Sequence, residues 1–338
     1  MKVIVDAMGG DHAPQAIVEG CVLALREMQD MHVTLVGRKD TILAELEKHE
    51  ADTARINIVD AAEIIDMAEP PVEAIRKKRN SSLVKGLELL RDGEGDAFIT
   101  AGSTGATIAG ATLIVKRLPG VKRPALAPLL PTQAGTKALL IDCGANAECR
   151  PSYLAQFALM GSIYMEKVEG VNSPRVGLVN NGAEAEKGTP LTKEAYRKIE
   201  EMPVNFRGNA EGRDLVSGDY DVLVCDGFTG NIILKYTEGL AGALLTMLKK
   251  ELSASLRTKI GAGLAMPAFK NFKKQMDYTE YGGALLLGVR GGVVKAHGSS
   301  NAKAIKSTLR QAAGFISGDV VNVIKQEISK VAWDDEND

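Results

Sequence analysis

Five short runs of glycine beside Asp, Asn, Ser or Thr carry the chemistry this sequence can offer. They are Val5-Asp6-Ala7-Met8-Gly9-Gly10-Asp11-His12, Ile99-Thr100-Ala101-Gly102-Ser103-Thr104-Gly105-Ala106, Ile141-Asp142-Cys143-Gly144-Ala145-Asn146, Val179-Asn180-Asn181-Gly182-Ala183-Glu184 and Cys225-Asp226-Gly227-Phe228-Thr229-Gly230-Asn231. In each, an apolar strand-like run enters a turn and a helix-like segment follows. In a parallel sheet all such turns fall at the carboxyl edge, where open α/β sheets bind ligands and helix N-termini offer N–H groups to an anion. The implied ligand is anionic, phosphate above all. One glycine turn says little, because tight strand-to-helix connections need glycine anyway; five together, flanked by polar side chains, say more.

Several standard sites are excluded by spacing. The sequence has no GxGxxG after its first strand, no GxxxxGK[ST], no GxSxG and no HExxH. In Gly182-Ala183-Glu184-Ala185-Glu186-Lys187-Gly188-Thr189 the lysine and glycine stand in the wrong order for a P-loop, yet Lys187 follows a strand end and could reach phosphate over the sheet edge. His12 and His297 both sit among glycines. Ser299, Ser300 and Asn301 can cap the helix expected at Ala302–Phe315 while leaving donors for an anion. Asp6, Asp142 and Asp226 fall at strand ends, where they could converge on Mg²⁺ or cap loops; loop capping is the favoured reading, and no metal or other cofactor is expected.

The elements that must hold these residues follow from periodicity. Strands are expected at Lys2–Ala7, Val33–Val36, Ile56–Val59, Ala97–Thr100, Ala125–Leu130, Ala138–Asp142, Val176–Val179, Val222–Asp226 and Ala284–Val289, alternating with helical stretches such as Ala16–Met28. This is an α/β pattern, a mainly parallel sheet wrapped by helices. Leu252, Leu256 and Ile260, then Phe269, Phe272 and Met276, predict two helices joined at a tip over Gly261-Ala262-Gly263-Leu264-Ala265-Met266-Pro267.

Composition sets outer bounds. With 338 residues, 41 Lys and Arg against 43 Asp and Glu, the formal charge of −2 excludes a globally basic nucleic-acid binder. Glycine, 35 residues, exceeds the usual share of about 7%, so many backbone positions need its freedom. Asp6 interrupts any leader-like apolar run, and a cytoplasmic location is expected. Cys21, Cys143, Cys149 and Cys225 show no CxxC spacing and read as buried free thiols.

The opening Ile4-Val5-Asp6-Ala7-Met8-Gly9-Gly10-Asp11-His12-Ala13-Pro14, with Gly102-Ser103-Thr104-Gly105-Ala106, Asn180 to Gly188, Asp226-Gly227-Phe228-Thr229-Gly230-Asn231 and Val294-Lys295-Ala296-His297-Gly298-Ser299, resembles the bacterial phosphate acyltransferases of phospholipid synthesis, the PlsX type. The resemblance spans nearly the whole chain. It implies transfer of a long-chain acyl group from acyl carrier protein to inorganic phosphate, and acyl-phosphate for a membrane glycerol-3-phosphate acyltransferase. It also implies a homodimer with a three-layer αβα fold similar to phosphotransacetylases and isopropylmalate dehydrogenases. In such a fold residues 1–100 with 296–333 would form one subdomain and 101–295 the other, with a protruding helix pair at 245–280.

Within those blocks, chemistry assigns the roles. Phosphate is already an oxygen nucleophile near neutral pH and a thiol leaves readily, so positioning and charge dominate over covalent catalysis. Gly102, Ser103, Thr104 and Gly105, or Ser299 and Ser300, are expected to cradle phosphate. Lys187 would neutralise it, Asn181 or Asn231 donate to the oxyanion, and His12 and His297 orient phosphate or protonate the thiolate. Asp6, Gly9, Gly10, Asp142, Asn146, Gly182, Asp226, Gly227, Thr229 and Gly230 complete the expected substrate-binding turns. Leu264, Met266 and Phe269, in an uncharged stretch between lysines, are expected to touch an anionic bilayer peripherally. Arg76-Lys77-Lys78-Arg79 and Lys249-Lys250 are candidate docking patches for the acidic carrier. Two competing readings are a phosphotransacetylase-like enzyme using acyl-coenzyme A and a non-catalytic scaffold at the membrane surface. An NAD- and metal-dependent dehydrogenase is disfavoured for want of its motifs.

Overall fold

The computed structural model describes residues 1–269, 272 and 282–333. Among these, twelve strands form two sheets: β1 Lys2–Asp6, β2 His32–Gly37, β3 Ile56–Asp60, β4 Ala97–Thr100, β5 Ala125–Ala127, β6 Leu129–Pro131, β7 Lys137–Ile141, β8 Arg175–Val179, β9 Asn205–Ala210, β10 Val222–Val224, β11 Ala284–Leu287 and β12 Gly292–Lys295. One sheet runs β3-β2-β1-β4-β12-β11-β5 and the other β6-β7-β10-β8-β9. All neighbours pair in parallel except β11 with β12 and β5, and β6 with β7.

The alternation of side chains across a strand decides the layers. In β1, Val3 and Val5 point into one core with the helices Gln15–Glu27 and Ala302–Ser317, while Ile4 points into another with Ser82–Arg91. Phe98 of β4 joins Ile4, and Ala97 and Ile99 join Val3 and Val5. Covered on both faces, these strands are apolar between their ends, as parallel sheets require. Leu139 and Ile141 of β7 and Val222 and Val224 of β10 reach the first core from the other sheet. The helix Pro151–Lys167 is buried from Ser152 through Met165. The result is a three-layer α/β fold.

Several expectations are corrected. The stretch Ala125–Leu130 is not one strand: Pro128 breaks it, and β5 and β6 pair into different sheets. β9 and β12 were not anticipated. β5, β11 and β12, all between residues 101 and 295, complete the sheet begun by β1. The helix Gly227–Leu252 ends at Leu252, and Ser255 starts a new helix, Leu256–Leu264, with a capping box to Thr258. The break therefore falls at 253–255, and Gly261 and Gly263 lie within a helix rather than at a tip. Met276, Lys270, Lys273, Lys274 and the acidic residues 334–338 lie outside the described residues. No helix among the described residues is long and apolar enough to cross a membrane.

Candidate functional site

Because β1, β4 and β12 are parallel neighbours, the turns that follow them adjoin. Asp6 organises this edge. Its buried carboxylate accepts from Thr100 Oγ1 at 2.7 Å and from the Met8 N–H at 3.1 Å. Thr100 Oγ1 in turn accepts from the Gly102 N–H at 2.9 Å. Gly9 fills the remaining space: a Cβ there would lie 2.6 Å from Asp6 Oδ2 and 2.7 Å from the Gly102 nitrogen, which no side chain tolerates. The Asp11 N–H donates to the Gly298 carbonyl at 2.8 Å, closing the third turn onto the first. Burial raises the Asp6 carboxyl above its ordinary value, against the hydrogen bonds that lower it.

The second edge repeats the device around Asp142. This carboxylate, 0% exposed, accepts the N–H groups of Leu126, Ala145 and Asn146 at 2.8, 3.1 and 2.7 Å, and Asn146 Nδ2 at 2.9 Å. Since Leu126 belongs to β5 and Asp142 follows β7, the contact ties the two sheets together. Burial again raises the carboxyl. Asp226 caps the helix Gly227–Leu252 by accepting from the Thr229 N–H and Oγ1. Gly230 packs on the Asp142 carbonyl so closely that an added Cβ would overlap it. Asp6, Asp142 and Asp226 are thus loop-capping groups, and Asn146, bonded to Pro124 and Asp142, serves the same framework.

A cavity of about 160 Å³ opens where the two edges face each other. Thr104, Lys295, Ala296 and His297 line it from the first sheet, and Cys143, Asn231, Lys235 and Glu238 from the second. The β5–β6 crossover contributes an apolar wall, Leu126, Pro128, Leu129, Leu130 and Pro131, continued by Leu234 and Ala241. Of the residues the sequence singles out, Thr104, Asn231 and His297 meet here. His12, Asn181 and Lys187 are exposed on neighbouring turns and are not on this wall. Ser103 is buried and caps its helix through the Ala106 N–H. Ser300 is buried, and Asn301 rather than either serine caps Ala302–Ser317.

His297 Nδ1 accepts from the Ser299 N–H at 3.2 Å and lies 2.8 Å from Ser299 Oγ. The neutral ring therefore carries its proton on Nε2. Burial, with Lys235 and Lys295 nearby, lowers the pKa below 6.5, against Glu238 and Asp11, so the ring is neutral at pH 7 and acts as a hydrogen-bond donor. Cys143 is no nucleophile: burial pushes its thiol well above 9, with Cys225 and Asp142 adding to the effect.

Lys295 is the residue that sequence reasoning missed. It ends β12, every residue of which is buried, and is itself only 7% exposed. The signal was its position in Gly292-Val293-Val294-Lys295-Ala296, an otherwise buried apolar run in which a solvated lysine has no place. Lys235 and Glu238 were missed for a different reason. They pair on one helix at 2.8 Å, an ordinary surface pattern that only the fold turns toward a cavity. In the first expected docking patch Lys77 and Lys78 pair with Glu73 and Glu69, and in the second Lys249 and Lys250 are exposed in the last turn of the helix Gly227–Leu252.

The model of a family described as "Fatty acid synthesis protein" matches residues 1–323. Proteins named phosphate acyltransferase from Clostridium tetani and Clostridium perfringens are each 50% identical to the chain. The first aligns over 331 residues, 98% of this chain and 99% of the relative, and the second over 337, 99% of both. Among solved structures, a phosphotransacetylase from Streptococcus pyogenes superposes with a TM-score of 0.62 at 18% identity, covering 95% of this chain and 94% of that one. A branched-chain phosphotransacylase from Enterococcus faecalis gives 0.58 at 15%, covering 94% and 99%. At such identities the structural likeness is one of fold.

Proposed function

The chain belongs to the phosphate acyltransferase family, and we propose that it moves a long-chain acyl group from acyl carrier protein to inorganic phosphate. The observation that carries this reading is the inter-sheet cavity, which sets a lysine, a neutral histidine, a threonine and an asparagine against an apolar wall. Polar groups suit phosphate and the oxyanion, and the wall suits an alkyl chain. A phosphate oxygen attacks the thioester carbonyl, the C–O bond forms, the C–S bond breaks and the electron pair leaves on sulfur. HPO₄²⁻ brings the proton that the thiolate takes up, so acyl-phosphate dianion and free thiol balance the step. Asn231 and the His297 Nε2–H, both on the cavity wall, are proposed to donate to the oxyanion. Lys187 and His12, on exposed turns at the same carboxyl edges, are proposed to meet the substrate's charge as it arrives.

The long helix supports a homodimer. Phe228, Ile232, Tyr236, Leu240, Leu244 and Leu248 along it are all exposed, a large apolar surface winding about the helix that a second copy would cover. Leu244→Asp should give a monomer by light scattering; an unchanged mass would remove this surface from the interface. Leu256, Ile260 and Leu264 extend the exposed apolar surface, Leu264 at 82%, whereas Phe269 is half-buried. This supports peripheral contact with the inner face of the cell membrane, close to the membrane acyltransferase that would use acyl-phosphate. Leu264→Glu should weaken binding to anionic liposomes, and unchanged binding would end that proposal.

The deciding experiment is phosphate-dependent thiol release from long-chain acyl carrier protein, run beside acyl-coenzyme A, with acyl-phosphate trapped by hydroxylamine. Release with the carrier substrate supports the proposal. Preference for acyl-coenzyme A would favour a phosphotransacetylase-like carrier choice, and silence with both would overturn the reading.

A further inference from the structure

The Lys295 ammonium lies where two of the three turns of the seven-stranded sheet meet the cavity. Its Nζ donates to the Ala101 carbonyl at 3.4 Å and to the Ala296 carbonyl. Among the described residues no carboxylate forms an ion pair with it and no third acceptor is present. A buried cation held only by carbonyl dipoles is costly, and Asp6 and Asp11 offset its charge only in part. The titratable groups around it are Asp6 and Asp11 from the first turn, Lys235 and Glu238 from the long helix, and His297 two residues on. Of the carboxylates, Asp6 is already engaged by Thr100 and Met8 and Glu238 by Lys235.

We propose that Lys295 binds the nucleophilic phosphate, its ammonium contacting phosphate oxygens inside the cavity and holding them against the thioester carbonyl. The inference rests on the acyltransferase reading and names the residue that fixes its nucleophile. His297 and Thr104, on the same wall, add neutral donors around the anion. The lysine stays protonated through the step, since the proton gained by sulfur comes from HPO₄²⁻. Its role is charge and position, which a buried cation supplies more strongly than an exposed one.

Burial, with Lys235 adding to it against Asp6 and Asp11, lowers the Lys295 pKa to about 8. In the empty protein the cation is therefore lost as pH rises through that value, and a bound dianion pulls the pKa back up. Phosphate binding above pH 8 should then take up a proton.

The test uses Lys295→Met, which keeps the length of the side chain without charge, and Lys295→Arg, which keeps the charge. Lys295→Met should raise the Michaelis constant for phosphate roughly 100-fold and leave that for the acyl donor nearly unchanged. It should also abolish the rise in melting temperature that phosphate gives the wild type, while the melting temperature without phosphate stays equal or rises. Lys295→Arg should restore part of the phosphate response. Calorimetric titration of wild type with phosphate, in buffers of different ionisation enthalpy, should show proton uptake at pH 8.5 and reads the proposal even if Lys295→Met fails to fold. A Michaelis constant for phosphate near wild type in Lys295→Met would overturn it, as would its failure to remove phosphate's thermal effect. If wild type releases no thiol but phosphate still stabilises it through Lys295, the acyltransferase reading falls and the anion site stands.

Discussion

The two sheet edges are built alike and present their lysines oppositely. Each is welded by one buried aspartate, Asp6 on the seven-stranded sheet and Asp142 on the five-stranded one, that gathers donors from neighbouring turns. On the first edge the lysine, Lys295, is buried at a strand end; on the second, Lys187 stands exposed on the turn after β8. A buried ammonium has a fixed position and an unscreened field, while an exposed one is solvated and screened within about a Debye length, ~8 Å at physiological salt. The first suits holding a small anion in place, and the second suits attracting a charged substrate from solution.

The largest effect should come from breaking the second hub. Asp142→Ala leaves three backbone N–H groups and the Asn146 amide without their acceptor. At about 1–3 kcal/mol for each buried donor left unsatisfied, and allowing for water entering the gap, the loss should be at least ~4 kcal/mol. Asp6→Ala strands the Met8 and Gly9 N–H groups and the Thr100 and Ser82 hydroxyls, which can rotate to other acceptors, for roughly 3 kcal/mol. Urea denaturation midpoints compare them; equal losses would show that the hubs weigh the same and that the inter-sheet bond from Leu126 adds nothing.

Next in size is the contrast between lysines. Lys187→Ala should lower kcat/KM about 10-fold, in line with one screened charge-assisted contact, and leave the melting temperature and phosphate stabilisation as they are. The loss should shrink at high salt. If Lys187→Ala instead abolished phosphate stabilisation, the roles drawn for the two edges would be reversed.

The sequence made most of this frame legible because a buried parallel strand writes itself as a short apolar run, and eight of the twelve strands were expected within a residue or two of their bounds. β9 escaped because Asn205-Phe206-Arg207-Gly208-Asn209-Ala210 is half polar and contains Gly208 at a positive φ, features of a loop. β12 is only four residues long, and its lysine disguised it. Pro128 was visible, yet its consequence, one run shared between two sheets, depends on long-range pairing that no local pattern encodes. For the same reason the glycine turns announced an anion but not which side chains would face it. Thr104, Asn231 and His297 share a wall because strands distant in sequence are neighbours in space. The Asp6 hub drew attention as a carboxylate, while Thr100, which links it to Gly102, read as a plain strand residue.

The smallest predicted effect separates the aspartates that weld from those that pair. In the pH window between the ordinary aspartate value and the raised folded value, folded Asp6 binds more protons than the unfolded chain does. Its contribution to stability therefore falls as pH rises through that window. Asp221 behaves oppositely: burial pushes its carboxyl up, but hydrogen bonds from the Arg175 side chain and backbone N–H outweigh this and lower it. Its stabilisation is present above the ordinary value and is lost as pH falls through the depressed folded one. Asp6→Asn keeps a hydrogen-bonding carbonyl and removes the buried charge, so its stability relative to wild type should be most favourable at pH 7. That advantage should shrink on acidification toward pH 4. Asp221→Asn should be least favourable at pH 7 and recover in acid. Thermal melts of the three proteins across that range read both slopes against the same background. Parallel slopes would mean that the Asp6 carboxylate is as well compensated as an ion pair, and that burial is not what distinguishes the hub.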